Sequence, residues 1–253
     1  MATLRELLYG YGEGAVITPG DLSVWNTNTL SPQNGGQCCL WTVPAGISTA
    51  TFEIWSGGGG GGMACCCQQG GGAGSGGYAI KTCTVTPGEQ FRICAAGSTC
   101  CDSGNLAGHV GSCSFVCSLS GGAASPWEAK VCGGYCVGGS CNRCYYFQNC
   151  YTCCTMCYCC LGTSVNTDFC IPGTMGNAQP TQFCYGEGHQ YAANAPMTGH
   201  GIRYGGNGCC QCFGGDRAFG LFPGGGGLSA LVHGNCCQWG GPGAGGLIYV
   251  LYY

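Results

Sequence analysis

Six consecutive glycines, residues 57–62, constrain this chain more than any other feature. A glycine run buries no side-chain area, and each of its residues loses more backbone entropy on ordering than any other. Left to itself such a run is a flexible linker. Here it is entered directly from a strand. Pro44 and Gly46 supply turn chemistry, and residues 49–55 alternate, with Phe52, Ile54 and Trp55 as the bulky members. Cys65, Cys66 and Cys67 follow almost at once. The arrangement predicts an ordered glycine segment, packed backbone to backbone and fastened covalently. Either a polyproline-II-like helix or a flat sheet edge would allow that packing, because only glycine permits both at close approach.

The composition extends the argument to the whole chain. Glycine contributes 53 of 253 residues and cysteine 28, while charged residues are 7%. An ordinary soluble domain has about 7% glycine and about 25% charge. A net charge of −3 carries neither the basic footprint of a nucleic-acid binder nor a patch for anionic lipid. A surface so poor in charge suits an assembly protein whose faces are covered by neighbours. Residues 1–9 lack the apolar stretch of a secretory signal, and no window reaches the ~18 apolar residues of a membrane span. Abundant cysteine without an export signal fits a protein made in a cytosol that works outside the cell, as in a virus particle released by lysis.

Residues 1–37 read as an N-terminal anchor or attachment segment. Thr3 and Glu6 form a capping box, and Leu4, Leu7 and Leu8 give a short helix one apolar face. So short a helix needs a partner surface, on another protein or on its own domain. Residues 38–253 read as one glycine- and cysteine-rich β domain. A second strand is expected over 76–85 and a third over 90–94. Thr86, Pro87, Gly88 and Glu89 between them suggest a hairpin. Residues 95–215 show little periodicity and read as a disulfide-rich irregular insertion with its core at 132–160. The closing run 247–253 is continuously apolar and fits a strand buried on both faces.

Cysteines recur as neighbours: Cys38 and Cys39, the triplet from Cys65 to Cys67, Cys100 and Cys101, Cys153 and Cys154, Cys159 and Cys160, Cys209 and Cys210, and Cys236 and Cys237. On extended backbone, adjacent side chains point to opposite faces, so each pair could tie one segment to two neighbours. Cys83, Cys94, Cys132 and Cys136 are further disulfide candidates, with connectivity open. Zinc is the rival. Cys141 with Cys144, Cys150 with Cys153, Cys154 with Cys157, and Cys209 with Cys212 have C-x-x-C spacing. A four-thiolate zinc site leaves a net −2, and only Lys130 and Arg143 stand near the main cluster to balance it. Disulfides are therefore favoured and no metal or other cofactor is expected.

No catalytic constellation emerges. The G-x-G-x-x-G match at 72–77 is followed by a strand rather than a helix. His109, His189, His200 and His233 are scattered, and Glu53, Asp102, Asp168 and Asp216 are isolated in sequence. The best binding stretch is 185–204. There Tyr185, His189, Tyr191, His200, Arg203 and Tyr204 combine aromatic and adaptable polar groups on a glycine-rich frame. The aromatic and cysteine-rich stretch 145–158 reads instead as a local core.

Three blocks carry a resemblance. Val43-Pro-Ala-Gly-Ile-Ser-Thr-Ala-Thr-Phe-Glu-Ile-Trp-Ser with its six glycines is similar to the opening of the glycine-rich domain of bacteriophage tail-fibre and related virion proteins. Gly76-Gly-Tyr-Ala-Ile-Lys-Thr-Cys-Thr-Val-Thr-Pro-Gly-Glu-Gln-Phe-Arg-Ile resembles its central hairpin. Gly240-Gly-Pro-Gly-Ala-Gly-Gly-Leu-Ile-Tyr-Val resembles its closing strand. The N-terminal opening is similar in style to structural proteins of marine and cyanobacterial phages. The resemblance implies an all-β, β-sandwich-like frame with glycine-rich excursions, commonly trimeric, at the outer parts of a virion. The expected role is a non-enzymatic tail-fibre or adhesin tip or exterior fibre, or a capsid decoration protein. Other virion proteins would attach through the N-terminal segment, copies would form a homotrimer or other homo-oligomer, and a host surface glycan or protein would be the target. A cysteine-rich metal-binding protein and a keratin-associated type of structural protein are the cellular alternatives.

Overall fold

A computed structural model describes residues 37–62, 64–65, 73–99, 110–119, 128–134, 164–174, 177–178, 188–191, 195–197, 203–206, 220–227, 237–238 and 240–253. The expected N-terminal helix, with Leu4, Leu7 and Leu8, lies outside them, as do most cysteines of 132–160. Every regular element among the described residues is a β-strand, so the described part of the fold is all-β.

Two antiparallel sheets form the frame. The larger orders β1 (Gln37–Thr42), β5 (Gln90–Ala95), β6 (Ser114–Ser118), β7 (Glu128–Val131) and β8 (Ser164–Val165) side by side. The other orders β14 (Leu247–Tyr252), β2 (Thr49–Trp55), β4 (Tyr78–Thr84) and β9 (Phe169–Ile171). A pair, β3 (Ala64–Cys65) with β13 (Cys237–Gln238), and a ribbon of β10 (Asn177–Ala178), β11 (Gly188–Tyr191) and β12 (Arg203–Gly206) complete the set.

Strand alternation builds the core. Ala50, Phe52 and Ile54 of β2 with Ile248 and Val250 of β14 face Trp41, Phe91, Ile93, Val116, Ala129 and Val131 of the larger sheet in one buried cluster. Phe52 and Phe91 meet across the layers at 5.4 Å between ring centroids, and Trp41 stands edge-on to Phe52. Each fully buried side chain of this size stabilises by about 1.5–3 kcal/mol.

The expected hairpin is an arch. β4 and β5 lie in different sheets, although the turn residues between them are those of a hairpin. The link at 85–89 stacks on the similar crossing from β1 to β2. Val43 N donates to Glu89 O, Gly88 N to Val43 O, and Val85 N to Ser48 O, all at 2.9 Å. Val85 is buried with the core, so the chain turns inward there instead of folding back on β4. Strand β14 is likewise buried on both faces only at its start. Leu247, Ile248 and Val250 are buried, while Tyr249 and Leu251 are half-exposed because they share the partly covered outer face with Glu53 and Thr51.

The stretch expected to be irregular, 95–215, supplies β6 to β9, which complete both sheets. The segment from β8 to β9 passes from one sheet to the other through Asn166, which adopts φ 54°. Lys81 Nζ meets Asp168 Oδ1 at 2.8 Å at this corner, and Thr82 N donates to Asp168 Oδ2 at 2.7 Å.

At one end of the frame the strands run on without regular pairing. β2 continues into 56–62, β5 into 96–99, β7 into 132–134 and β9 into 172–174. β4, β6 and β14 are entered from 73–77, 110–113 and 240–246. Residues 57–62 are buried at the centre of this bundle. Their hydrogen bonds rotate among neighbours with a period of three. Ser56 N and Gly59 N reach Gly77 O and Gly74 O, and Gly58 N and Gly61 N reach Ala244 O and Gly241 O. Gly57 N, pointing a third way, reaches Ser112 O of the other layer at 3.0 Å. Three residues per turn is the period of polyproline II, whereas a strand repeats every two. Of the two arrangements the glycine run permits, the helix-like one is present.

The bundle replaces side-chain packing with backbone hydrogen bonds between the layers. Gly246 N donates to Ala96 O and Thr99 N to Gly243 O, tying the extension of β14 to that of β5. A Cβ on Gly58 would fall inside the carbonyl of Gly225, and one on Gly243 would overlap the carbonyls of Gly58 and Gly59. Approach this close requires glycine at both positions.

Candidate functional site

Hydroxyl side chains are the polar groups the bundle buries. Ser56, Ser75, Thr99 and Ser114 are each at most 3% exposed. Ser56 Oγ accepts from Gly77 N at 2.8 Å and donates to Cys132 O at 2.9 Å. Thr99 Oγ1 accepts from Gly243 N at 2.9 Å and donates to Gly58 O at 3.0 Å. Ser114 Oγ accepts from Ala96 N at 2.9 Å and donates to Trp55 O at 2.7 Å. The Ser56, Thr99 and Ser114 hydroxyls thus each satisfy one donor and one acceptor belonging to different segments, which removes the penalty of leaving them buried and unpaired.

The binding stretch 185–204 is placed in part. Tyr185 and His200 lie outside the described residues. His189 and Tyr191 fall on β11, and Arg203 and Tyr204 on the adjacent β12. The register sets Tyr191 opposite Arg203, Gln190 opposite Tyr204, and His189 opposite Gly205. Four of the six candidates therefore share one two-strand unit.

Between those strands, Ala195 and Pro196 dock on the frame. Trp55 Nε1 donates to Pro196 O at 3.0 Å, and Ala195 is buried against Trp55, Tyr78 and Leu247. This second cluster sits on the outer face of the four-stranded sheet, with Ile80, Ile171, Phe222 and Tyr249 packed at its margin. The Trp55 and Tyr78 rings are 4.6 Å apart, and Trp55 meets Tyr249 edge-on at 5.6 Å. Tyr78 Oη donates to Glu53 Oε2 at 3.2 Å.

The outer face therefore carries a row that sequence reading missed. Register places Tyr249, Glu53, Ile80 and Phe169 side by side on four successive strands. Phe169 is 50% exposed, and Met197 beside the docked Pro196 is 72% exposed with φ 61°. The sequence signal was the alternation in β2, which assigns Glu53 to the face opposite Phe52. The neighbours of Glu53 come from strands distant in sequence.

The cysteines divide. Cys38 is bridged to Cys94 and Cys113 to Cys132. Cys113 was not among the sequence candidates. Cys39 and Cys83, which were, are free thiols, as are Cys117 and Cys170. Strand alternation turns Cys39 away from Cys38, toward the core margin, where no second cysteine sits opposite: its register partner is Ile93. Cys83 also packs against the core cluster, opposite Ala50. Burial pushes the Cys39 thiol up. Burial, then the charge of Glu89, with a smaller push from Asp168, raises the Cys83 thiol to about 11 despite Lys81 nearby. The Lys81 ammonium, and after it the Thr82 amide, hold the Asp168 carboxyl below the usual aspartate range.

Both bridges join strands or strand extensions of the larger sheet that are already neighbours. The remaining sequence candidates lie outside the described residues or, like Cys65 and Cys237, are placed by backbone alone as register partners of β3 and β13. Among the described residues, no group of three or more His, Cys, Asp or Glu side chains is placed to hold a metal ion. The C-x-x-C motifs fall outside those residues.

No family model matches the chain, and no curated protein matches it.

Proposed function

We propose that this chain is a non-enzymatic structural protein of a bacteriophage particle, at a tail-fibre or adhesin tip or an exterior fibre, built on a β-sandwich frame with glycine-rich excursions. The observation that carries the reading is the glycine bundle. Strands of both layers run past one end of the frame into segments that hydrogen-bond to one another across the layers. Such a body is rigid because its backbone groups are satisfied internally, and it presents few titratable groups to a changing environment. That suits a part which works outside the cell and does its work by shape.

Two further features support the reading. The three sequence blocks that resemble virion proteins fall on β2 with its glycines, on β4 and β5 with their arch, and on β14 with its leading glycines. These are the elements that make the frame and centre the bundle. Leu40, Leu119 and Val165 are also exposed at or beside strands of the larger sheet, apolar surface of the kind that copies of a homo-oligomer cover. A trimer or other homo-oligomer, attached to the particle through the N-terminal segment, is the assembly we infer.

Mass spectrometry of purified particles tests the proposal. The chain should be present at a fixed copy number, and mild dissociation should release it as an oligomer. Its absence from any particle would overturn the assignment.

A further inference from the structure

We propose that the outer face of the four-stranded sheet is a glycan-binding shelf centred on Glu53. The row Tyr249, Glu53, Ile80 and Phe169 places one carboxylate among apolar and aromatic side chains. The next row adds Thr51 and Thr82, whose hydroxyl oxygens are 3.0 Å apart. On the opposite side, the row of Trp55 and Tyr78 is roofed by Ala195 and Pro196, so the shelf has a back wall.

The mixture selects a ligand. Rings held by neighbouring rings, as Tyr249 is by Trp55, offer area for an apolar face at little entropic cost. Glu53 is oriented by the Tyr78 hydroxyl through one oxygen. A wholly apolar partner would strip water from this carboxylate and give nothing back. An anionic partner would be repelled by it. A pyranose presents a face of C–H groups to the rings and hydroxyl donors to a carboxylate and threonine oxygens, so it meets all three demands. The other nearby acid, Asp168, is already paired with Lys81 and adds no second charge for a basic peptide to bind.

This inference deepens the adhesin reading by naming a ligand class and a site. It is tested on the isolated full chain, so a failure here leaves particle membership untouched, and the reverse holds too. Saturation-transfer NMR would be recorded with methyl glycosides of the common neutral hexoses and N-acetylhexosamines, and with a lysine-rich peptide. At least one glycoside should receive saturation. Phe169→Ala should weaken it roughly five- to tenfold, the scale of one ring contact. Glu53→Gln and Thr82→Val, on unchanged melting temperatures, should weaken it as well. Silence from every glycoside would overturn the proposal. So would binding that Phe169→Ala and Glu53→Gln leave unchanged, or a lysine-rich peptide occupying the shelf where no sugar does.

Discussion

Ser114 Oγ donates to the carbonyl of Trp55 at 2.7 Å, joining the first residue of β6 to the last residue of β2 across the two layers. The same hydroxyl takes the Ala96 amide at 2.9 Å. It stands where side-chain packing between the sheets gives way to backbone hydrogen bonding in the bundle. One oxygen therefore holds three segments in register.

Ser114→Ala should be strongly destabilising for so small a change. It leaves a carbonyl and an amide buried without their partner, and each such group costs about 1–3 kcal/mol. We expect a loss of roughly 2–4 kcal/mol in denaturant unfolding, with Ser118→Ala smaller because the Glu89 carboxylate that accepts from its hydroxyl is half-exposed and can take water instead. Equal losses for the two substitutions would show that the Trp55 bond does not set the register.

Acid should weaken the corner between β8 and β9. Asp168 has a folded pKa below its unfolded value, which is about 3.9. Its contribution is therefore present above that unfolded value and disappears as pH falls through the lower, folded one. Parent and Asp168→Asn proteins should differ in melting temperature at neutral pH and converge in strong acid. A gap that stays constant over the whole range would assign the loss to something other than the charge that faces Lys81. Because Asp168 is about half exposed, with a side-chain exposure of 47%, we expect the neutral-pH gap to be small and to shrink in high salt.

The free thiols should separate by environment. Cys170 is exposed on the edge strand β9, whereas Cys83 is packed at the core margin with a thiol raised to about 11. Only the thiolate is alkylated at an appreciable rate. Iodoacetamide at mildly alkaline pH, followed by peptide mapping of the native protein, should label Cys170 before Cys83. Early labelling of Cys83 would mean that the margin of the core opens.

The sequence made β2 and β14 legible because their patterns are long and clean, whereas β1 at Gln37–Thr42 was not expected. Alternation in Thr49–Trp55 marks Phe52 and Ile54 for the core, and the apolar run at Leu247–Tyr252 can hardly be anything but a strand. Residues Thr86 to Glu89 were misleading because an arch and a hairpin use the same turn chemistry. What decides is whether Val85 finds a core to enter. β6 to β9 were hidden by their brevity and by cysteines and glycines around them, and the partnership of Cys113 with Cys132 depends on a pairing that spacing does not encode. The outer shelf was illegible for a related reason. Glu53, Ile80, Phe169 and Tyr249 are ordinary residues until register sets them in one row.

Two glycine substitutions should distinguish conformational strain from close packing. Gly46 lies in the β1 to β2 crossing with φ 85° and has open space around the position a Cβ would occupy. Gly46→Ala should therefore cost only the left-handed backbone penalty, about 1–2 kcal/mol. Gly58 has the reverse character. Its φ is outside the left-handed region, but an added methyl would lie within the carbonyls of Gly224 and Gly225, and backbone cannot swing aside as a flexible side chain can. The extension of β2 would have to move away, breaking the bonds from Gly58 N to Ala244 O and from Gly57 N to Ser112 O. Gly58→Ala should thus exceed the roughly 1–3 kcal/mol of ordinary overpacking. Hydrogen exchange should show lost protection at the amides of 57–61 while those of β5 and β6 stay protected. If Gly58→Ala proved no more costly than Gly46→Ala, the glycine segments would have to be separated by more than the backbone hydrogen bonds allow.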